Sequence, residues 1–333
     1  MPAPSAASAS TTAPPAAPQT IPSATTAPPP LPADFSQVDI SGLRTADAPD
    51  PFVAVDHGEP WLFTTNSAAG NVPMATTTTT DGRLLVADAL AELPPWAEEG
   101  HTWAPAVTPT EHGWVLAFTA RDRASGRQCI GVATAPSVHG PYTPAPSPLV
   151  CHPDQGGSID PSFVVDPVGR RWLLYKDDGN CCGLPTTLHS VPLAATATEL
   201  FGPPADLLTA NLAWEGGLIE APTMARVGNR WLLLYSANRW DTPAYAVGVA
   251  WCDTPMGPCT KQPEPALAAG AGLEGPGGVE FVSGNRRGDT LVTFHAWPED
   301  AVGYTNASTR RLHLGRVDVT PTIVTILPRP IGR

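Results

Sequence analysis

The chain has 333 residues, enough to bury a full core as one large domain or two ordinary ones. A formal net charge of −12 argues against nucleic acid as a partner, whereas a neutral polymer such as a polysaccharide is indifferent to it. Hydrophobic residues make up 42%, yet no run approaches the roughly 20 apolar residues of a membrane-spanning helix, so no membrane partner is expected.

Residues 1–36 are almost entirely Ala, Pro, Ser and Thr, with no charge before Asp34. Such a stretch cannot bury a core and reads as a disordered tail or linker, leaving 37–333 as the folded unit. It lacks the charged and apolar regions of a signal peptide. Pro/Ser/Thr tethers are nevertheless typical of exported proteins, and a secreted protein is expected.

Beyond the tail an aromatic-led apolar strand recurs: Trp61–Thr64, Trp114–Phe118, Trp172–Tyr175, Trp231–Tyr235 and a degenerate fifth, Leu291–Phe294. The starts at 61, 114, 172, 231 and 291 lie 53, 58, 59 and 60 residues apart. Another apolar stretch precedes each one (Phe52–Val55, Ala106–Thr108, Ser162–Val165, Thr223–Val227, Val279–Val282). Between the two lies a turn, marked by Gly58, Gly113, Gly169, Gly228 and Gly284/Gly288. Further β-rich segments follow, such as Ile130–Thr134, Tyr245–Trp251 and Arg311–Val319, while only Val86–Glu99 carries a weak helical signal, ended by Pro94. Repeats of about four strands with so long a period predict an all-β, five-bladed β-propeller; the turns of a sandwich recur without such a superperiod.

Six cysteines stand at 129, 151, 181, 182, 252 and 259. Cys129 with Cys151, and Cys252 with Cys259, bracket turn-rich stretches that disulfides could close; the Cys181-Cys182 pair stays ambiguous. An even count without a C-x-x-C or a nearby histidine pair favours disulfides over a zinc site.

Three of the repeats carry a carboxylate where the inner strand begins. Asp50 lies 11 residues before Trp61, Asp160 lies 12 before Trp172, and Glu220 lies 11 before Trp231; in the second repeat Trp103 lies 11 before Trp114. The first strand of each propeller blade lines the central channel, so side chains at this phase are expected to converge at one end of the axis. Clustered carboxyls hold one another's protons, so one can act as an acid while another acts as a base. That division of labour is what glycosidic cleavage requires. Asp166-Pro167, by contrast, reads as a turn alone.

The ordered motifs run Ala48-Pro49-Asp50-Pro51, Trp103-Ala104-Pro105, Ser158-Ile159-Asp160-Pro161-Ser162, Ile219-Glu220-Ala221-Pro222, Tyr235-Ser236-Ala237-Asn238, Tyr245–Ala250, Gly275–Gly278, Phe294-His295-Ala296-Trp297 and Arg310-Arg311-Leu312. The set, over about 44–319, resembles glycoside hydrolase family 43, five-bladed propellers that hydrolyse arabinose- and xylose-containing polysaccharides. The resemblance implies an inverting glycosidase with Asp50 as general base, Glu220 as general acid and Asp160 as the carboxylate that tunes and holds the acid. For inversion, a base–acid separation of roughly 6.5–9.5 Å is expected. It also implies a sugar-side role near the acid for Arg310, with Arg311 as the one-residue alternative. His295 matches a histidine that in many members faces a metal or waters in the channel, often calcium, although no cofactor is required.

Two positions depart from the family pattern: Ala106 stands for an Asp, and Gly278 for a His. They leave the three catalytic matches intact and bear on subsite polarity and the channel metal. Trp103 and Trp240 are candidate sugar-stacking residues, with blade packing as the alternative for both. The polar run Lys176, Asp177, Asp178 and Asn180 reads as a solvated loop rather than a sugar site. Related invertase-type propellers are excluded because Ile159 precedes Asp160 and Ala221 follows Glu220. An exo-acting α-L-arabinofuranosidase on arabinan or arabinoxylan oligosaccharides is the leading expectation. Next come β-xylosidase and endo-arabinanase; a non-hydrolytic carbohydrate-binding propeller is the rival from another class.

Overall fold

The computed structural model describes residues 47–77, 84–282 and 290–329. The 1–36 tail and the Gly284/Gly288 turn lie outside the described residues.

Among the described residues twenty strands form five four-stranded antiparallel sheets, each made of consecutive strands. Blade 1 holds β1 (Phe52–Asp56), β2 (Glu59–Phe63), β3 (Pro73–Thr77) and β4 (Leu84–Asp88). Blade 2 holds β5 (Trp103–Thr110), β6 (Gly113–Arg121), β7 (Gln128–Ala135) and β8 (Thr143–Pro144). Blade 3 holds β9 (Ser158–Val165), β10 (Arg171–Asp177), β11 (Thr187–Leu193) and β12 (Ala205–Thr209). Blade 4 holds β13 (Ile219–Val227), β14 (Arg230–Ala237), β15 (Ala246–Cys252) and β16 (Cys259–Lys261). Blade 5 holds β17 (Leu273–Phe281), β18 (Thr290–Pro298), β19 (Arg311–Val319) and β20 (Val324–Arg329). The aromatic-led runs are the second strands, as the repeat predicts.

The run Trp172-Leu173-Leu174-Tyr175 shows why these strands are apolar on both faces. Leu173 and Tyr175 pack with Val115 and Ala117 of blade 2, while Trp172 and Leu174 pack with Trp231 and Leu233 of blade 4. A strand buried on both sides has no polar alternation. Each buried leucine adds about 1.5–3 kcal/mol by leaving water. The ring closes by packing rather than by a shared sheet: Val53 and Val55 meet Leu291 and Leu312. The Ala48 amide donates to the Arg310 carbonyl at 2.8 Å, and the Thr293 hydroxyl to the Pro51 carbonyl at 2.7 Å.

The weak helical signal at 86–99 is not realised. Val86 belongs to β4, paired with Ala75 of β3, and turns follow from Ala89. Strand pairing and Pro94 override local propensity there. Asp166 is a turn residue as expected, accepting the amides of Val168 at 3.0 Å and Arg170 at 2.9 Å. All six cysteines pair: Cys129–Cys151, Cys252–Cys259 and the adjacent Cys181–Cys182. Among the described residues no helix is long and apolar enough to cross a membrane.

Candidate active site

A left-handed residue stands just before or within each innermost strand: Asp50 (φ 49°), Ala104 (42°), Asp160 (56°), Ala221 (49°) and Gly278 (57°), with a second, Gly275 (52°), in blade 5. Proline follows the first four, and the ladder to the second strand skips at this point in blades 2 to 5. Proline has no amide to donate, so it is tolerated where a bulge interrupts pairing. The bulges line one funnel, walled by Asp50, Ala104, Asp160, Ala221, Gly278 and Glu280 among others. Asp50 and Asp160 are themselves the left-handed residues, whereas Glu220 stands one place earlier. The spacing to the aromatics, which treats the three as equivalent, therefore hides a one-residue offset. Trp103, half-buried, holds in blade 2 the place that Glu220 holds in blade 4.

Asp50 is held from three blades. Its Oδ2 accepts from the Thr65 hydroxyl at 2.6 Å, and Thr65 in turn accepts the Ala104 amide at 2.9 Å. Its own amide donates to His295 Nδ1 at 3.1 Å, and Arg310 Nη1 lies 3.8 Å from Oδ1. The buried Arg310 thus stands beside Asp50, with its guanidinium 4.6 Å over the Trp240 ring and its Nε donating to the Tyr304 hydroxyl at 3.1 Å. Burial works against that charge, but Asp50 and Tyr304 hold its pKa above the ordinary value. Arg311 is exposed on β19. Trp240 stacks on Trp297 at 6.2 Å and remains 38% exposed, which leaves it able to meet a sugar.

Glu220 has both oxygens engaged: Lys176 Nζ donates to Oε2 at 3.0 Å and the Tyr245 hydroxyl to Oε1 at 2.8 Å. Lys176 is fully buried and also reaches Asp178 Oδ1 at 3.3 Å. Burial alone would lower its pKa, yet Glu220, Asp160 and Asp178 outweigh burial and hold it above the ordinary value. The solvated-loop reading of this run is therefore wrong for Lys176, Asp177 and Asp178, all buried; only Asn180 is exposed. An ammonium surrounded by carboxyls can leave water where a lone one cannot. Asp177 binds His152 at 2.9 Å and His189 at 2.8 Å.

Asp160 accepts the Ala221 amide at 2.8 Å, which ties it to the residue after Glu220. Burial, then the charge of Glu220, push its pKa well above the carboxylate range, against the pull of Lys176. Burial likewise raises Asp178. Asp160 thus holds its proton to higher pH than an ordinary carboxyl.

Deeper in the funnel, Glu280 accepts from the Ser162 hydroxyl, and burial pushes it from an ordinary 4.5 up to about 8. Between those values the folded chain binds a proton that the unfolded chain has lost, so this group's contribution to stability falls as pH rises. The Glu280→Gln variant is expected to lose less stability than the parent between pH 5 and about pH 8. Urea unfolding across that range measures it; parallel pH slopes would show that Glu280 does not titrate there.

His295 is fully buried, stacked on Tyr245 at 5.9 Å, and burial lowers its pKa well below the ordinary value. With Nδ1 accepting from the Asp50 amide, the neutral ring carries its hydrogen on Nε2, a buried atom without a hydrogen-bond partner among the described residues. A hydrogen there meets an oxygen, not a cation, so the residues present do not fit a metal ligated by His295. Among the described residues no three His, Cys, Asp or Glu side chains are grouped to hold a metal ion.

The Gly278 departure follows from the same packing. A Cβ there would lie 2.6 Å from the His295 ring and 2.9 Å from Asp50 Oδ1. Ala106 belongs to the apolar core between blades 1 and 2.

Lys176, Tyr245, Thr65 and Tyr304 are site residues that sequence reasoning does not assign. Lys176 offered a signal as a lysine continuing an apolar second strand, and Tyr245 as the head of the Tyr245–Ala250 motif.

The sequence model of glycosyl hydrolases family 43 matches residues 43–321. The xylosidase/arabinosidase 43A of Humicola insolens is 35% identical over 82 residues, 24% of this chain and 23% of that protein, so the match spans under a quarter of the relative. A thermostable family-43 glycoside hydrolase superposes with a TM-score of 0.72 at 22% identity, covering 84% of this chain and 92% of that one. An endo-1,4-beta-xylanase from Bacteroides thetaiotaomicron gives 0.69 at 23% identity, covering 85% and 94%. These two likenesses carry the five-bladed fold. With the family pattern matched over most of its length, the chain belongs to glycosyl hydrolases family 43 and is a glycosidase.

Proposed function

We propose that the protein is an exo-acting α-L-arabinofuranosidase that removes arabinose from arabinan or arabinoxylan oligosaccharides with inversion. The observation that carries this reading is the meeting of Asp50 and Asp160 in one funnel, with the Asp160 carboxylate bound to the amide of Ala221, the residue after Glu220. Asp50, as general base, takes a proton from a water whose oxygen attacks the anomeric carbon. Glu220 gives a proton to the departing glycosidic oxygen as that bond breaks. Asp160 orients Glu220 through the Ala221 amide and keeps its own proton beyond the ordinary carboxylate range. Arg310 fixes Asp50, and Trp103 and Trp240 offer ring faces to the sugar.

Acid and base are both side chains, so the proposed reaction needs no cofactor. Three disulfides support a secreted enzyme acting on plant-type glycans. The name of the Humicola relative supports arabinose or xylose as the sugar.

The test is incubation with aryl α-L-arabinofuranoside, aryl β-xyloside, and linear and branched arabinan, with the first-formed anomer read by proton NMR. Arabinose released singly in the inverted configuration is expected. Xylose release, or internal cuts in linear arabinan, would move β-xylosidase or endo-arabinanase to the front. No release from any substrate would move a hydrolase for an untested glycan, or a carbohydrate-binding propeller, to the front.

A further inference from the structure

In each blade the antiparallel meander places the start of the first strand and the loop between the second and third strands at the same end. In blade 3 this is shown by the pairing of Ser158 with Asp177. The blade 3 loop, 178–186, therefore rises on the catalytic face. Both its ends are fastened beside Glu220. Asp178 meets Lys176, which meets Glu220, and the Thr186 hydroxyl accepts the amide of Ile219, the residue before Glu220, at 3.0 Å.

Between those ends the loop presents the Cys181–Cys182 disulfide. Cys181 is exposed, Leu184 nearby is 41% exposed, and the Cys181 amide is bound to the Asp178 carbonyl at 3.2 Å. Arg127, exposed on the neighbouring blade 2 loop, sets Nη1 2.7 Å from Cys182 Sγ and 3.4 Å from Cys181 Sγ. The other two disulfides span 22 and 7 residues, but this one joins adjacent residues and closes no loop of chain. It therefore offers little of the unfolded-state restriction by which disulfides stabilise. What it does offer is surface: a polarisable sulfur ridge with no donor to solvate, flanked by a guanidinium suited to hydroxyl groups.

A general acid protonates the oxygen of the leaving group, so the leaving sugar lies on the acid's side of the funnel. We propose that Cys181–Cys182, with Leu184 and Arg127, forms the platform that receives the leaving-group sugar, its C–H face on the sulfurs and its hydroxyls toward Arg127. This rests on the glycosidase reading above, with Glu220 as the acid.

The test uses the full chain carrying Glu220→Gln, with Asp50→Asn as a second background, so that oligosaccharide binds without turnover. Calorimetry gives the Kd for α-1,5-arabinotriose, xylotriose and arabinose. Reduction of Cys181–Cys182 by tris(carboxyethyl)phosphine is then followed by alkylation and peptide mass spectrometry. At a trisaccharide concentration tenfold above its Kd, reduction is expected to slow about tenfold, while arabinose, filling only the inner pocket, leaves the rate unchanged. A trisaccharide that binds without slowing reduction would overturn the platform and leave the glycosidase reading intact. Equal protection by arabinose would also overturn it, as general tightening rather than contact. If none of the sugars binds, the arabinose- and xylose-directed reading and the platform fall together.

Discussion

Replacing Glu220 by Gln is expected to lower kcat/KM on arabino- or xylo-oligosaccharides by roughly 10²–10⁴-fold, the range for losing a positioned general acid. The leaving group of a natural glycan is a sugar alkoxide, which departs poorly without a proton. An aryl glycoside with an acidic phenol leaves unaided, so the loss there should be much smaller. The variant also tests the surroundings, because an amide oxygen can accept from Lys176 or Tyr245, and its NH₂ must face the other donor. That mismatch is expected to cost about 1–3 kcal/mol of stability. Steady-state kinetics on both substrate types, with a denaturant titration, separate the effects. Equal losses on both would remove Glu220 from the acid role.

The Lys176→Met variant is expected to lose about 3–5 kcal/mol of stability near neutral pH, because carboxyls buried around one ammonium are left without a counter-charge. At present Lys176 lowers the affinity of Asp160 for its proton. Without it the folded state binds protons more tightly, while the unfolded chain is little changed. The deficit should therefore shrink as pH falls and the carboxyls protonate, and grow as pH rises. For the same reason the alkaline limb of the kcat profile should move upward, since Asp160 then holds its proton to higher pH. Urea unfolding at pH 5 and pH 7 and a pH–rate profile on an aryl glycoside measure both effects. A deficit independent of pH would mean that Lys176 serves packing alone.

Much of this architecture is written locally. The aromatic-led strand repeats five times, and each copy needs apolar residues on both faces because a blade packs against a neighbour on either side. The Asp-Pro and Ala-Pro pairs mark the bulges where a left-handed residue and a missing amide interrupt the ladder. Blade number, strand order and the presence of Asp50, Asp160 and Glu220 at the start of inner strands are therefore all determined by the sequence read alone.

The partners of those carboxylates are decided only by the closed ring. Lys176 meets Glu220 across 44 residues of chain, and Asp50 meets His295 across 245. Lys176-Asp177-Asp178 has the composition of a solvated loop, and only the approach of blades 3 and 4 shows that Glu220 supplies the charge that lets the lysine be buried. Gly278 looks like a lost histidine until the ring brings His295 into the space that its Cβ would occupy. The one-residue offset of Glu220 is likewise invisible to spacing, because the extra residue of a bulge and the differing hairpin lengths, with Trp61 paired to Ala54 but Trp231 to Arg226, offset one another in the count. Strand pattern depends on neighbours in sequence, whereas ion pairing and burial depend on neighbours in space, and here the two are joined only when the fifth blade packs against the first.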